Sequence, residues 1–299
     1  MKVLVTGGNQ GIGYALCKQL ALEHDCHVLL SARSERKGMA AVSEIEKAIA
    51  GKSNCKGSVD FLELDTSDDH SVARAASTFA KTTTAASSTV ASTTGSTPPV
   101  LGAIVNNAGI GLNTGQTGDI LNTNLRGTKR VCDKFVPFLD PTEGRIVNLG
   151  SGSGPIFVGS VRSKADRAFL CAGGTTGEDC SWETIERFAK TKTNGSSSGS
   201  DDPYGLSKAL VSCYTGLLAR QHPNLLVSAV TPGFIDTQMT SGWGSSKTPE
   251  QGTLAIRKCL FETLEHGSGW YYGSDGIRSP YHFMRNPGEP EYDGINPYV

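Results

Sequence analysis

Residues 3–13, Val-Leu-Val-Thr-Gly-Gly-Asn-Gln-Gly-Ile-Gly, set the first expectation for the fold. A short apolar run precedes the glycines, and a helical pattern follows them from about Ile12 to Glu23. A glycine-rich turn between a strand and a helix directs backbone N–H groups and the positive helix end toward a phosphate. The alternative is a turn that binds no ligand. The residues predicted to bind a dinucleotide in this turn are Gly7, Asn9, Gln10, Gly11, Ile12 and Gly13.

Short apolar runs continue to alternate with helical patterns along the chain. A helix is predicted around Met39 to Ile49, and such runs are typical of parallel strands buried on both faces. The further predicted strands are Val28–Leu30, Phe61–Leu64, Leu101–Val105, Arg145–Leu149 and Leu226–Val230. The sequence therefore predicts an α/β fold, a doubly wound parallel sheet of the Rossmann type, in a single domain covering residues 1–299.

Three segments depart from this pattern. Residues 81–99 have low complexity, and we expect a solvated loop without a function. Residues 152–203 form an insertion with a predicted helix from Trp182 to Lys190, which either packs on the main core or covers a substrate cleft as a flap. The tail, residues 270–299, either walls the cleft or wraps the surface.

Composition excludes several classes of function. The net charge of −1 and the lack of any Lys/Arg run argue against a nucleic-acid partner. No apolar run reaches the ~18 residues that a membrane span requires. The first strand begins directly after the initiator methionine, so we expect a cytoplasmic protein without a leader.

The cysteines and histidines indicate neither a metal site nor a disulfide framework. The eight cysteines contain no Cys-x-x-Cys spacing, and we expect free, mostly buried thiols. The six histidines show no metal-ligand spacing.

Tyr204 and Lys208 lie four residues apart in the run Tyr-Gly-Leu-Ser-Lys, so on a helix they face the same way. A cation about 4 Å from a phenol, at an effective dielectric constant of ~20, would lower the phenol pKa by roughly three units. Beside a dinucleotide site, this pair predicts hydride transfer with Tyr204 as proton donor. The spacing alone is common, and an exposed helix is the alternative.

Arg33 favours NADP(H) over NAD(H). It ends the second predicted strand in Ser31-Ala32-Arg33-Ser34, where an NAD-binding chain places an acid on the ribose hydroxyl. A guanidinium can instead pair with a 2′-phosphate. The alternative is an ordinary surface arginine.

Together these motifs resemble the short-chain dehydrogenase/reductase family across nearly the whole chain. The motifs are Thr6-Gly-x-x-x-Gly-Ile-Gly13, Asn106-Asn107-Ala108-Gly109, Asn124, Asn148-Leu-Gly-Ser151, Tyr204-x-x-x-Lys208 and Pro232-Gly233. Within the family, the chain is most similar to the monomeric NADPH-dependent carbonyl reductases. The features of this second match are Ala32-Arg33, Arg36-Lys37-Gly38, the segment 123–128 and the long gap between Ser151 and Tyr204.

The resemblance implies roles for individual residues. Ser151 would donate a hydrogen bond to the substrate carbonyl, Tyr204 would deliver the proton, Lys208 would hold the cofactor ribose, and Asn124 would position a water as part of a proton relay. Asp65 would contact adenine. The other residues implied at the cofactor are Asn107, Ala108, Gly109, Pro232, Gly233 and Thr237.

Some residues depart from the family pattern. Gln10 stands where carbonyl reductases usually carry a lysine, so the NADP(H) preference depends on Arg33. Gly150-Ser151 replaces a common pair of serines, and Ser153 is a lesser candidate for the catalytic hydroxyl. Candidate apolar pocket walls are Phe157, Phe234 and Trp243.

The function expected from the sequence is NADPH-dependent reduction of a small-molecule aldehyde, ketone or quinone. One alternative is a catalytically silent NADP(H)-sensing or scaffold protein of the same fold, and another is an alcohol dehydrogenase working oxidatively. Family members usually dimerise through the helices after Asn124 and around Tyr204. Because the 152–203 insertion could block that surface, we expect a monomer.

Overall fold

The computed structural model describes residues 1–87, 101–111, 116–171, 181–194, 202–245 and 247–298. At its centre is an eight-stranded sheet. The strands are β1 (Lys2–Thr6), β2 (His27–Ala32), β3 (Ser58–Glu63), β4 (Ala103–Asn106), β5 (Arg145–Leu149), β6 (Leu226–Val230), β7 (Trp270–Tyr272) and β8 (Arg278–Ser279). Their order is β3-β2-β1-β4-β5-β6-β7-β8, and every pair is parallel except β7 with β8.

Helices connect the strands and cover both faces of the sheet. They are α1 (Gly11–His24), α2 (Glu35–Ala50), α3 (Asp69–Ser87), α4 (Thr117–Leu121), α5 (Gly127–Phe135), α6 (Ser153–Ser160), α7 (Lys164–Cys171), α8 (Trp182–Asn194), α9 (Pro203–Gln221) and α10 (Leu254–Phe261). A π-helical turn, Asn122–Arg126, joins α4 to α5, and short 3₁₀ turns cover Val136–Phe138 and Gln251–Thr253.

Alternate strand residues supply two separate cores. On β1, Leu4 packs in the core beneath α3, α5 and α9, whereas Val3 and Val5 pack in the core beneath α1, α2 and α10. All three side chains are fully buried. This two-sided burial confirms the predicted doubly wound sheet, whose strand order reverses between β1 and β4. The edge strand β3 differs from the prediction of strands buried on both faces, because its residues Ser58, Asp60 and Glu63 are exposed.

Residues 81–99 were expected to be a loop, but α3 continues into this segment as far as Ser87. Extending an existing helix adds one hydrogen bond per residue without a new nucleation cost, so a weakly apolar sequence can prolong it. Residues 88–99 lie outside the described residues.

The tail, residues 270–299, extends the sheet with β7 and β8. None of the described residues from 270 to 298 lines the cleft characterised below.

The insertion packs on the core, in agreement with the first of its two interpretations. Ile185 of α8 is fully buried, and Trp182 meets the ring of Tyr214 on α9 edge-on at 5.7 Å between centroids. Phe188 stacks on Phe169 of α7 at 4.7 Å. Because no described residue of α8 lines the cleft, this helix is not a flap.

Candidate active site

A cleft of about 610 Å³ opens at the carboxyl ends of β1, β2, β4, β5 and β6. It brings together every predicted cofactor-binding residue, and it is also lined by Ser151, Tyr204 and Lys208. Asn124 alone among the predicted catalytic and cofactor-binding residues does not line the cleft, although its neighbour Thr123 does. Residues far apart in sequence meet here because parallel strands end at the same edge of the sheet.

The glycine turn forms one wall of the cleft, and its backbone favours glycine at positions 7, 11 and 13. Gly7 and Gly11 have φ angles of 65° and 55°, in the left-handed region that favours glycine. A Cβ atom on Gly13 would lie 2.3 Å from the carbonyl oxygen of Gly7. Glycine at position 13 therefore allows the start of α1 to pack directly against the carbonyl group of Gly7.

Asn107 braces the same turn from the end of β4. Its side-chain amide donates to the carbonyl oxygens of Thr6 and Gly7 at 2.8 and 3.2 Å. The Thr6 hydroxyl in turn accepts from the backbone N–H groups of Asn107 and Ala108, both at 3.0 Å. These bonds fix the ends of β1 and β4 to each other beneath the cleft.

Arg33 and Asp65 stand at the far end of the cleft, after β2 and β3. Arg33 is exposed, and it makes no hydrogen bond or ion pair with any residue that the structure describes. Asp65 accepts from both the backbone N–H and the hydroxyl of Ser67 at 2.9 and 2.6 Å. Its carboxylate thus already stabilises the loop that leads into α3.

Lys208 lies buried on α9, and only 5% of its surface is exposed. Its ammonium group donates to the carbonyl oxygen of Leu149 at 2.7 Å and lies 5.6 Å from the ring centroid of Tyr204. Burial lowers the Lys208 pKa to about 8. This side chain can therefore exchange its proton close to neutral pH.

Tyr204 is half-buried, and its phenol lies close enough to the Ser151 side chain for Ser151 to influence its pKa. Burial of the hydroxyl raises the Tyr204 pKa, the Ser151 side chain opposes this rise, and the nearby Asp202 carboxylate adds to it. We expected Lys208 to lower this pKa, and in this structure the direction is the opposite. The reason is that burial penalises the charged phenolate, and the Lys208 ammonium, 5.6 Å from the ring centroid, does not offset this penalty.

The π-helical turn 122–126 places Asn124 behind the cleft, where 1% of its surface is exposed. Its amide accepts from the Ile110 N–H at 2.9 Å and donates to the Ile110 carbonyl and the Ser207 hydroxyl, both at 3.0 Å. Single π-helical turns are frequent at functional sites. A Cβ atom on Gly109 would lie 3.2 Å from Asn124 Oδ1 and 3.6 Å from Lys208 Nζ, so Asn124 and Lys208 converge on one point.

The opposite wall of the cleft is apolar and open. Phe234 and Trp243 line it as expected and are about half exposed, and Met239 joins them. Phe157 was wrongly expected here. It lies on the face of α6 that packs against α9, where it is 2% exposed in the core.

Two polar residues of the site were not identified from the sequence. Asp202 lines the cleft and caps α9 by accepting from the Gly205 N–H at 2.7 Å. Its position before Pro203 is a helix-start signal that could have revealed it. Ser207 links Asn124 to the Tyr204 carbonyl, to which it donates at 2.8 Å. No sequence pattern distinguishes Ser207 from an ordinary helix residue.

These residues fit a dinucleotide with a 2′-phosphate. The glycine turn brings its backbone to the surface of the cleft, and the Arg33 guanidinium after β2 has no partner among the described residues. Among the described residues, no cluster of His, Cys, Asp and Glu could hold a metal ion. A membrane-crossing helix is likewise absent from the described part of the chain.

Comparisons with known proteins agree with this geometry. A family model described as short chain dehydrogenase matches residues 1–163. The chain is 29% identical to (+)-neomenthol dehydrogenase of Arabidopsis thaliana, covering 90% of this chain and 94% of that protein. It is 30% identical to carbonyl reductase (NADPH) 3 of Mus musculus, covering 83% and 86%. The solved structure of salutaridine reductase from Papaver somniferum superimposes with a TM-score of 0.71 at 26% identity, covering 91% and 99%.

Proposed function

The chain belongs to the short-chain dehydrogenase family, and from this premise we propose that it reduces a small carbonyl compound with NADPH, using Tyr204 as the proton donor. The observation that carries the proposal is that Ser151, Tyr204 and Lys208 line the same cleft as the glycine turn, with the Lys208 ammonium 5.6 Å from the centroid of the Tyr204 ring. Because the Ser151 side chain lies near the Tyr204 phenol, a carbonyl oxygen bound between them can accept a hydrogen bond from both groups.

Each residue has a distinct part in this scheme. Bound NADPH supplies the hydride. Ser151 orients the carbonyl by donating to its oxygen, and Tyr204 transfers its proton to the same oxygen as negative charge develops there. Because burial raises the Tyr204 pKa, this hydroxyl stays protonated between turnovers at neutral pH. Lys208, with a pKa of about 8, returns a proton to the Tyr204 phenolate and regains one from solvent before the next turnover.

The preference for NADPH is assigned to Arg33. Its guanidinium has no described protein partner, so a 2′-phosphate would not have to displace an existing ion pair. The names of the carbonyl reductase relatives include NADPH, which supports the same choice. Gln10 contributes no charge to this pocket.

The direction of the reaction is a second question. The relative called (+)-neomenthol dehydrogenase bears a name that describes alcohol oxidation, and the same residues serve both directions.

We also propose that the protein is a cytoplasmic monomer. The seven described cysteines are free thiols, as is typical of a reducing compartment, and α8 packs on α9, the helix around Tyr204 through which family members usually dimerise.

The test is an assay of NADPH consumption over a panel of apolar aldehydes, ketones and quinones, run with the wild type and with Tyr204→Phe. We expect turnover by the wild type, and in the variant a loss of at least a thousand-fold with NADPH binding retained. Wild-type NADPH binding without any turnover would favour a silent cofactor-sensing protein instead. Full activity in Tyr204→Phe would remove the assigned proton donor.

A further inference from the structure

Arg130 on α5 is hydrogen-bonded to two parts of the cleft that belong to different elements. Its guanidinium donates to the carbonyl oxygen of Thr66 at 3.3 Å and to the carbonyl and side-chain oxygens of Asn122 at 3.1 and 2.8 Å. It also pairs with the Asp69 carboxylate at 2.8 Å, and 17% of its side chain is exposed. The Asn122 amide completes the connection by donating to the carbonyl oxygen of Ser67 at 3.0 Å.

The first of the two parts is the β3–α3 loop, residues 64–68. Its first four residues line the cleft, and among them is Asp65, the residue expected to contact adenine. The loop lies directly against the start of α5, because a Cβ atom on Gly127 would be 2.8 Å from the Thr66 carbonyl oxygen. Glycine at this position thus brings the loop within reach of the Arg130 side chain.

The second part is the π-helical turn, which Asn122 begins. The carbonyl oxygen of Asn122 accepts from the Gly127 N–H that closes the turn, and Arg130 donates to the same oxygen. Two residues further along, Asn124 accepts from the Ile110 N–H at 2.9 Å. Arg130 therefore fixes the start of the segment from which Asn124 reaches the back of the cleft.

From these contacts we infer that Arg130 is a positioning residue, which holds the β3–α3 loop against the π-helical turn and thereby joins the adenosine end of the cofactor site to Asn124. The inference rests on the proposed function, which assigns both parts to NADPH binding and turnover. A planar guanidinium can donate to several oxygens in fixed directions, whereas a lysine ammonium is a compact point charge. Without Arg130 both segments gain freedom, and the cofactor and Asn124 are both held less firmly.

The experiment compares Arg130→Met, Arg130→Lys and Asn122→Ala with the wild type. Arg130→Met keeps an apolar side chain and loses every donor, while Arg130→Lys can keep the ion pair with Asp69 but not the fork of donors. Lys134→Met is the matched control, because Lys134 is exposed on the same helix and its side chain has no hydrogen bond or ion pair with any described residue. It removes the same charge from α5.

The first readout is hydrogen exchange in the cofactor-free protein, measured by mass spectrometry in the peptides that contain Ser67 and Ile110. The Ser67 N–H donates to the Asp65 carboxylate at 2.9 Å, and the Ile110 N–H donates to the Asn124 side chain at 2.9 Å. Exchange in the first peptide therefore reports on the β3–α3 loop, and exchange in the second reports on the position of Asn124.

We expect both peptides to exchange roughly ten-fold faster in Arg130→Met and Arg130→Lys, by the value of a hydrogen bond to a charged group. Asn122→Ala should accelerate both in the same direction, and Lys134→Met should match the wild type. Wild-type exchange of either peptide in Arg130→Met, full recovery in Arg130→Lys, or equal acceleration in Lys134→Met would overturn the inference. If Arg130→Met does not fold, Asn122→Ala decides by the same two peptides.

The second readout is cofactor binding by nicotinamide fluorescence. We expect Arg130→Met to weaken NADPH and NADH by a similar factor, roughly ten-fold, because the loop faces the adenosine half that both share. At saturating NADPH, kcat should also fall roughly ten-fold through the displacement of Asn124. A residue that only stabilises the fold would lower the melting temperature and change neither quantity.

The two proposals fail in different ways. Wild-type cofactor binding and kcat in Arg130→Met contradict the inference and leave the reductase function standing. If the wild type itself binds neither NADPH nor NADH, the proposed function fails, and hydrogen exchange alone decides the role of Arg130.

Discussion

The ammonium group of Lys208 and the carbonyl oxygen of Leu149 are 2.7 Å apart, in a position where water hardly reaches the lysine. The carbonyl belongs to the last residue of β5, so this hydrogen bond ties α9 to the strand that leads to Ser151. It does not fully replace hydration, because burial still lowers the Lys208 pKa from 10.5 to about 8. Lys208 is therefore placed for chemistry at a cost in stability.

That cost predicts a pH dependence of unfolding. Since the folded-state pKa lies below the unfolded value, the unfolded chain binds more protons between pH 8 and 10.5, and stability from this group rises with pH in that window. Below pH 8 the penalty is fully present, at about 3 kcal/mol. Urea unfolding of the wild type and of Lys208→Met at pH 7.5 and 9.5 measures it. The wild type should gain stability relative to the variant at the higher pH, and parallel changes in both proteins would contradict the burial of a titrating lysine.

The glycine turn predicts a specific effect of one added methyl group. In Gly13→Ala the new Cβ would meet the Gly7 carbonyl oxygen, so α1 or the turn must move. We expect a loss of 1–3 kcal/mol of stability, by about the amount that overpacking costs, and weaker binding of NADPH and NADH alike. Gly118→Ala is the control, because no atom lies within 4 Å of its added Cβ and alanine favours the helix. Nicotinamide fluorescence and thermal melts of both variants measure the two effects, and normal cofactor binding by Gly13→Ala would place the dinucleotide elsewhere.

The sequence predicted the gathering of the cleft residues well, for a simple physical reason. Once the strands are recognised as parallel, the residues after each strand must share one edge of the sheet, so Gly7, Arg33, Asn107 and Ser151 are brought together by topology. The alternation of apolar runs with helical patterns is therefore enough to predict which residues meet at this edge. What a pattern cannot give is the degree of burial at each point along that edge.

The predictions that failed are those that depend on the degree of burial of a side chain. The sign of the Tyr204 pKa shift depends on how much water reaches the hydroxyl, and no spacing rule contains this quantity. Phe157 was assigned to the cleft because aromatic residues occur both in pockets and in cores, and only the packing of α6 on α9 separates the two. The pairing of β7 from the tail with β6 was also not predicted, because a strand of three residues gives no signal of a long-range pairing.

Arg33 predicts a difference between the two nicotinamide cofactors. Arg33→Ala should weaken NADPH binding by roughly ten- to a hundred-fold, the value of a charge-assisted hydrogen bond, and should leave NADH binding within two-fold. Arg187→Ala is a charge-matched control, because Arg187 is exposed on α8, away from the cleft. Fluorescence titrations at two salt concentrations measure the effect. An equal loss for both cofactors would identify Arg33 as a structural residue.

The packing of α8 predicts the oligomeric state. This helix buries Ile185 against the core shared with α9, and its Glu186 forms two-pronged hydrogen bonds with Arg126 at 2.7 to 3.1 Å, beside α5. A second copy of the chain could dock on the side of α9 that α8 covers only by displacing these contacts. We expect light scattering to give a monomer at micromolar concentration, and a stable dimer or tetramer would contradict the assignment.

The burial of Ile185 on α8 predicts a loss of stability on truncation. Ile185→Ala should lower the free energy of unfolding in urea by about 2–4 kcal/mol, because the cavity lies in the main core. Thr191→Ala, on the exposed side of the same helix, should cost less than 1 kcal/mol by the usual range for surface substitutions, so equal losses in the two variants would show that α8 does not cover the core.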